Sequence, residues 1–573
     1  LSKVLVLVKN GSISTLAGAL PRPVMALHVG VTGHRELPGA DIDGLRAAAA
    51  CLFRKLRAEA LALLAADQTL AVPLYAPTPP LLRCVCGMAE GADSILAEAA
   101  LEEDWQLVAL LPFAPDTFAA DFAGAALDRF HRLLARANVV CALDGDRTSD
   151  HAYADVGDQV VEQSDILLTI WNGQRAQGLG GTGDVVRHAL QAGVLVAVLP
   201  PVGVPALSWL GTTDADITAM LRAVLLPPVS SDGFPQACFS DVPRGDVWAP
   251  MVLRAYDRLV TLGFTPSAPE LPGPVASDPE AGGLASTFRA ADQLATEYAA
   301  RYRAAGLMRY GLILPATLAS LVGWYGTDWM QPIGNLVDFV VLLFVVLFST
   351  RGGWEPAHRR FLMYRTLAEY IRNVRLLIPL RATVQMPGAA AHEARAADWT
   401  SWYGRAATRQ DGIRPASFDA ARIADAVVLV RGAAESQVRF LLQRAARFDA
   451  IAARLRQIGV ALSIAGVAFS GVRAVLLLAG VGPSAVRAFN ELALVLPAMA
   501  PVFLGLLSFN EYTKLATRYR SVAIALNVQI AALDGAQPHR AAVLPIARRI
   551  AEVMLAERDD WRQLMQSRTI SAY

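Results

Sequence analysis

The chain lacks a basic excess: 52 Lys and Arg stand against 51 Asp and Glu, a formal net charge of +1. Nucleic-acid binders normally carry a strong positive balance, so that class is set aside. Charge of either sign is scarce, at 18% of 573 residues, where a soluble globular chain carries about 25%. With a mean hydropathy of +0.36, the deficit places part of the chain in lipid. Five cysteines, Cys51, Cys84, Cys86, Cys141 and Cys238, are too few and odd in number for a disulfide framework. No Cys/His spacing suits zinc, so reduced, buried thiols are expected, with Cys84 and Cys86 on one side of a strand. No Gly-Lys-Ser/Thr appears, which excludes a Walker phosphate loop. No nucleophile–base pair stands out, and of eight scattered histidines only His34 falls in a candidate ligand loop. The apolar run in "LSKVLVLVKNGSIST" is too short for a secretory signal, so the first domain is expected in the cytoplasm.

What is present begins with six short apolar runs, at 24–30, 81–86, 105–111, 138–143, 165–171 and 194–199, separated by helical sequence. Near-continuous apolar strands alternating with helices predict a parallel sheet covered on both faces. The fold class is therefore α/β, a doubly wound, mostly parallel Rossmann-like sheet, whose ligands bind beyond the C-terminal ends of the strands. An extension of 1–23 precedes this domain, which runs over 24–265. A stretch with five prolines, 266–284, reads as a linker.

Three loops follow predicted strands. In the first, Gly30, Thr32, Gly33, His34 and Arg35, the glycines permit a tight turn and free N–H groups make an anion nest. Arg35 either forks onto a phosphate or is a solvated side chain on a plain turn. The second, Gly87, Glu90, Gly91 and Asp93, opens a helix, a ready anion site. Glu90 and Asp93 are candidate ribose acceptors, although Asp93 fits helix capping better. The third, Gly178 to Leu190, contains Gly180, Gly181, Thr182 and Gly183 ahead of a helix. It matches the dinucleotide fingerprint only loosely, because no acidic residue follows the next strand. Before it, Trp171, Asn172 and Gly173 offer an aromatic that either stacks a base or closes the sheet end.

Beyond the linker lie four apolar stretches, roughly 307–325, 332–350, 457–480 and 489–509. A helix needs about 20 apolar residues to cross a bilayer. Arg301, Arg303, Arg309, Arg351, Arg359, Arg360, Arg454, Arg456, Lys514, Arg518 and Arg520 flank the pairs on one side, whereas "GTDWMQPIGN" between the first two carries no Lys or Arg. The positive-inside rule then predicts an inner-membrane, multi-pass protein with both termini and the 351–456 segment cytoplasmic. The half is also a repeat. "AARYR" at 299 recurs as "AARLR" at 452, and "YRTLAEYIRN" at 364 as "YRSVAIALN" at 519. The units are a first two-span repeat at 285–380, a cytoplasmic connector at 381–435, a second repeat at 436–535 and a terminal helix at 536–573. Phe361, Tyr364, Ala368 and Ile371 share one face of the first exit helix. Asp338 and Glu491 occupy matching places in the second and fourth spans, and Arg473 in the third is a candidate partner. Intramembrane ionisable groups commonly mark a water path, so these three are pore candidates. Pro315, Pro497 and Pro501 are possible kinks.

"VGVTGHREL", "GMAEGADSILAEAAL", "YADVGDQVVEQSDILLTIWNG" and "GGTGDVVRHALQAGVLVAV" occur in that order. Together, over about 24–200, they resemble the SLOG superfamily, Rossmann-like nucleotide-binding domains related to the cytokinin-activating LOG enzymes. The membrane half is similar, more loosely, to SLATT-type effector domains. The LOG glycine loop runs Gly-Gly-x-Gly-Thr-x-x-Glu with a catalytic glutamate, and here Arg187 stands in its place. The resemblance therefore implies a sensor rather than a hydrolase. It would take a nucleotide second messenger, ADP-ribose-type or cyclic, as activator, made by a separate enzyme, and would need no cofactor or metal. The combined expectation is a nucleotide-gated membrane effector of antiphage defence, working as a homo-oligomer in the bilayer. A membrane-tethered nucleotide N-glycosidase and a constitutive transporter with a regulatory domain are the alternatives.

Overall fold

The computed structural model describes all residues except 1–18, 150, 177, 212–215, 229–237, 244, 246, 262–281, 313–318, 320–328, 351–354, 383–398, 483–485 and 567–573. Most of the N-terminal extension and of the linker 266–284 lies outside the described residues.

The six apolar runs form β1 (Ala26–Gly33), β2 (Leu81–Cys86), β3 (Gln106–Leu111), β4 (Val139–Ala142), β5 (Ile166–Ile170) and β6 (Leu195–Leu199). They pair in parallel, and the full order is β7-β6-β5-β1-β2-β3-β4-β8. Val29 lies beside Ile166 and Leu27 beside Leu82. The strands are buried on both faces because helices cover each side: α1 (Ile42–Gln68), α2 (Ala92–Glu102), α3 (Pro115–Ala119), α4 (Gly124–Arg136), α5 (His151–Glu162) and α6 (Thr182–Gln191). The chain winds outward from β1 to β4, then returns to lay β5 on the other side of β1. That reversal opens a crevice at the C-terminal ends of β1 and β5, the place where open α/β sheets take ligands.

The sheet has two edge strands that the apolar runs did not announce. The antiparallel β7 (Ser208–Leu210) closes one edge, ahead of α7 (Ile217–Leu225). The two-residue β8 (Ala416–Ser417) closes the other, against β4, and comes from more than 200 residues further along the chain. The helices after β7 are α8 (Trp248–Thr261), α9 (Gly282–Gly311), α10 (Gln331–Thr350), α11 (Glu355–Leu377) and α12 (Trp399–Asp411). Three of them, α9, α11 and α12, join the core of the α/β domain. Trp402 on α12 is buried and donates its indole N–H to Leu225 O at 2.6 Å, and Arg409 pairs with Asp165 at 2.5 Å. Tyr364 on α11 is buried and donates to Asp241 at 2.8 Å. Four cysteines are buried as expected, but Cys51 lies on the exposed face of α1, a correction to the expectation for all five.

The membrane half continues with α13 (Ala420–Leu478), α14 (Arg487–Asn510), α15 (Tyr512–Asp534) and α16 (Arg540–Gln566). Four spans were expected. Among the described residues only two helices are long and apolar enough to cross a membrane, one within Ala420–Leu478 and one within Phe489–Asp534. The stretch 332–350 is helical in α10, which is 20 residues long, and its run Gln331–Phe344 is apolar. The stretch 307–325, with Pro315, lies largely outside the described residues. At 59 residues, α13 is about 90 Å long at 1.5 Å per residue, so it runs from the sheet edge through its apolar window. It meets α14 where Gly466 receives Pro497.

The helices that begin at Glu355 and Tyr512 make similar contacts with the helices ahead of them. Tyr364 stacks on Tyr298 with ring centroids 5.8 Å apart, and Tyr519 meets Phe448 at 5.7 Å. The arginine after each tyrosine pairs with an entry-helix acid, Arg365 with Asp292 and Arg520 with Asp449. Phe361 is partly buried, whereas Tyr364, Ala368 and Ile371 are fully inside.

Gly30 in the middle of β1 is packed so closely that a β-carbon there would collide with Ser164 Oγ and Val160. Gly30→Ala is therefore expected to lower stability by about 1–3 kcal/mol, the usual range for overpacking. Thermal unfolding of the full chain in detergent reads this, and an unchanged midpoint would contradict the packing.

Candidate functional site

A cleft of about 860 Å³ opens at the reversal of strand order. Its floor is the β1 loop, with Thr32, Gly33, His34 and Arg35. Its back is Gly87, Ala89 and Asp93 after β2, and its roof is Asn172, Gln174, Arg175 and Gly178 to Gly183 after β5. One wall is the face of α5 that carries Tyr153, Val156, Gly157 and Val160.

Of the residues singled out from sequence, Thr32, Gly33, His34, Arg35, Gly87, Asp93, Asn172, Gly180, Gly181, Thr182 and Gly183 line this cleft together. Gly30, Glu90, Gly91, Trp171 and Gly173 are not among its lining residues. Gly30 serves packing. Gly91 has φ +83° and sits against the carbonyls of His34 and Arg35, while the Ala92 N–H donates to His34 O at 3.0 Å. The N-terminus of α2 is thus partly occupied by the first loop's own backbone, which reduces its use as an anion site. Glu90 is exposed. Trp171 donates its indole N–H to Gln174 O at 2.9 Å, and Asn172 Oδ1 accepts from Gln174 N at 3.0 Å. That pair shapes the roof loop rather than offering a stacking surface. His34 Nε2 accepts from Asn172 N at 3.3 Å and so ties floor to roof.

Sequence reasoning missed the aromatic and the second cation of the cleft. Tyr153 and Phe118 line it, and the Arg35 guanidinium lies over the Tyr153 ring at 5.0 Å. The Tyr153 hydroxyl donates to Asp121 at 2.6 Å, which Arg147 also holds. Arg175 is exposed at the roof, and among the described residues its side chain has no hydrogen-bond or ion-pair partner. The spacing of Tyr153 and Gly157, one helical turn apart on α5, was the signal available. The first turn of α6 (N-cap Gly181) also faces the cleft, and a helix start favours an anion through its free N–H groups and dipole. Two arginines, a helix N-terminus and a phenol ring thus surround one cavity. Such a set suits a ligand with an anionic end and a flat ring.

No protein-family model and no curated protein matches this chain. Function must therefore be argued from the cleft itself. Arg187, in the place of the LOG glutamate, is exposed on α6, pairs with Asp184 at 2.7 Å and is not a lining residue. The lining carboxyls are Glu36 and Asp93. Asp93 is not the N-cap of α2, which is Gly91; one of its oxygens accepts from Ala89 N at 3.2 Å and holds the loop ahead of the helix. Burial pushes its carboxyl from 3.8 up to about 7, against the Ala89 N–H and the Arg35 charge, which both favour ionisation.

The pore candidates lie apart from the cleft. Asp338 on α10 has one enclosed carboxylate oxygen without a hydrogen-bond partner among the described residues. Glu491 and Arg473 are half-buried on α14 and α13. The expected pairing is absent: among the described residues no ion pair joins Arg473 to Asp338 or Glu491.

A folded-state value above the unfolded one means that Asp93 contributes stability below about pH 4 and loses it as pH rises through about 7. Asp93→Asn, which keeps an acceptor for Ala89, is expected to flatten the fall in thermal midpoint between pH 4 and 8. A variant profile that falls as steeply as the parent's would contradict this.

Proposed function

We propose that this chain is a membrane effector whose α/β domain senses a nucleotide-type anion and whose helical half acts on the bilayer. The carrying observation is the position of α5. One face of it walls the cleft. From its end, Glu162 receives Arg548 of α16, with one guanidinium nitrogen donating to both carboxylate oxygens at 2.5 Å. The start of α16 is held too, by Arg540 N to Asp144 at 2.6 Å and Arg540 Nε to Leu380 O at 2.9 Å. Arg372 of α11 reaches both Gln437 of α13, at 2.6 Å, and Met554 of α16. A ligand that displaces α5 therefore pulls on the helix bundle from which the apolar helices extend.

On this reading Arg35, Arg175 and the α6 N-terminus take the phosphate end and Tyr153 the ring. The loop signature that resembles SLOG domains supports the same ligand class, supplied by a separate enzyme. The basic flanks support a cytoplasmic sensor domain and cytoplasmic termini on an inner-membrane protein. Asp338 and Glu491 are then candidates for an acidic ring in an oligomer, of the kind that favours cations.

The test uses full-length protein in liposomes with a cation-sensitive dye, with ADP-ribose, AMP and the small molecules released from the purified protein as probes. Flux is expected only on addition of a probe that binds. Arg35→Ala is expected to weaken that probe by about 1.5–3 kcal/mol, the range for a charge-assisted hydrogen bond. Flux of equal size without any probe would overturn gating.

One observation favours a second reading, a membrane-tethered nucleotide hydrolase. Asp93 is a cleft carboxyl poised near neutrality, and such groups serve acid–base chemistry. Steady turnover of AMP or ADP-ribose that Asp93→Asn abolishes would establish the hydrolase and displace the sensor.

A further inference from the structure

Outside the apolar windows, α13 and α15 run side by side and present a face that no described residue covers. Ile524 is 65% exposed, Val528 60% and Leu442 45%. Ile524 and Val528 are one helical turn apart on α15. Ion pairs fix the height of Leu442 on the neighbouring helix. Arg520 pairs with Asp449 on one side of this level, and Arg431 with Asp534 at 3.0 Å on the other. All four charged side chains are about half exposed. The face therefore sets Leu442, Ile524 and Val528 between two charged levels, each holding both signs, with the Arg431 level extended along α13 by Glu435 and Arg439. The earlier repeat shows what such a face does when it has a cover. By the offset of 155 between Tyr364 and Tyr519, Ile524 and Val528 correspond to Glu369 and Asn373, and both are buried within the chain.

We infer that this face of α13 and α15 is the contact between two copies of the chain, related by a two-fold axis parallel to the helix pair. A two-fold in that direction sets α13 of one copy against α15 of the other, at equal height. Asp449 then meets the second copy's Arg520, Arg431 meets its Asp534, and the aliphatic residues meet between them. The contact is isologous and closes on itself. The direction of the axis rests on the membrane reading, because two copies in one bilayer share the direction of their spans. Large aliphatic side chains grouped on an aqueous surface mark a protein contact, and the charge pattern selects a second copy.

Native mass spectrometry of the full chain released from detergent reads the stoichiometry. The unaltered chain is expected as a dimer or an even multiple of it, and Ile524→Lys with Val528→Lys as a species of half that mass. Both positions are exposed, so an unchanged thermal midpoint shows that the fold survives. If the double variant does not fold, Leu442→Lys carries the same expectation. The charge levels have their own test. Arg520→Asp and Asp449→Arg, in separately tagged chains, each break the pair within a chain and between like copies. Co-expressed, they restore both pairs between unlike copies, so heterodimers are expected well above the statistical share. A monomeric parent, a double variant of parental mass, or a statistical mixture would overturn the contact. Membrane fractionation of the same samples reads membrane insertion separately, so failure of the dimer is distinguishable from failure of the membrane reading.

Discussion

The tie between α5 and α16 is the constraint on which the rest of the molecule depends. Glu162 is buried, and burial raises its carboxyl above the usual range although Arg548 opposes the shift. A buried carboxylate that lost its cation would be left uncompensated, which is strongly destabilising. The same contact decides where α16 lies, and α16 in turn holds α11 and α13 through Met554 and Gln437. This contact stands beside β8 on β4, Arg409 on Asp165 and Arg540 N on Asp144, which also join the α/β domain to the helices that follow it.

The cleft follows from topology, and topology from the apolar pattern. Six buried strands require helices on both faces, and reversal of strand order at β1 leaves a gap that no helix fills. Glycines close to this gap serve two different ends. Gly30 and Gly91 let elements approach, whereas Gly180 to Gly183 turn the chain into the first turn of α6 at the edge of the cleft. Into that space project Arg35, Arg175 and Tyr153, none of them buried; the Tyr153 hydroxyl is held by Asp121, whereas neither arginine has an ion-pair partner among the described residues. Unneutralised cations beside a ring amount to a site prepared for an anion.

Much of this was legible beforehand, for reasons specific to each element. The six strands announce themselves because each is buried on both faces and so reads as an unbroken apolar run. The three glycine loops stood out because glycine at a strand end has few other uses, and parts of all three line the cleft. Edge strands β7 and β8 escaped because they are three and two residues long. Trp402 escaped because its partner, Leu225, is 177 residues away. Trp171 was a candidate ring because aromatic character is visible in sequence, but the direction of an indole is not, and it faces the roof loop's backbone. Tyr153 was passed over because its one local signal, the helical spacing from Gly157, does not say which face of α5 meets a cleft. The count of spans rested on apolar length, basic flanks and the repeat; among the described residues two helices are long and apolar enough to cross a membrane.

Hydrogen–deuterium exchange of Arg548→Ala in nanodiscs, compared with the unaltered chain, tests the coupling most directly, because it needs no ligand. Arg548 is on α16 and does not line the cleft. If α16 and the cleft are one mechanical unit, exchange rises in α5 and in the loops at 30–36 and 172–183 as well as in α16. A rise confined to α16 and its immediate partner Glu162, with the cleft loops unchanged, would contradict the account.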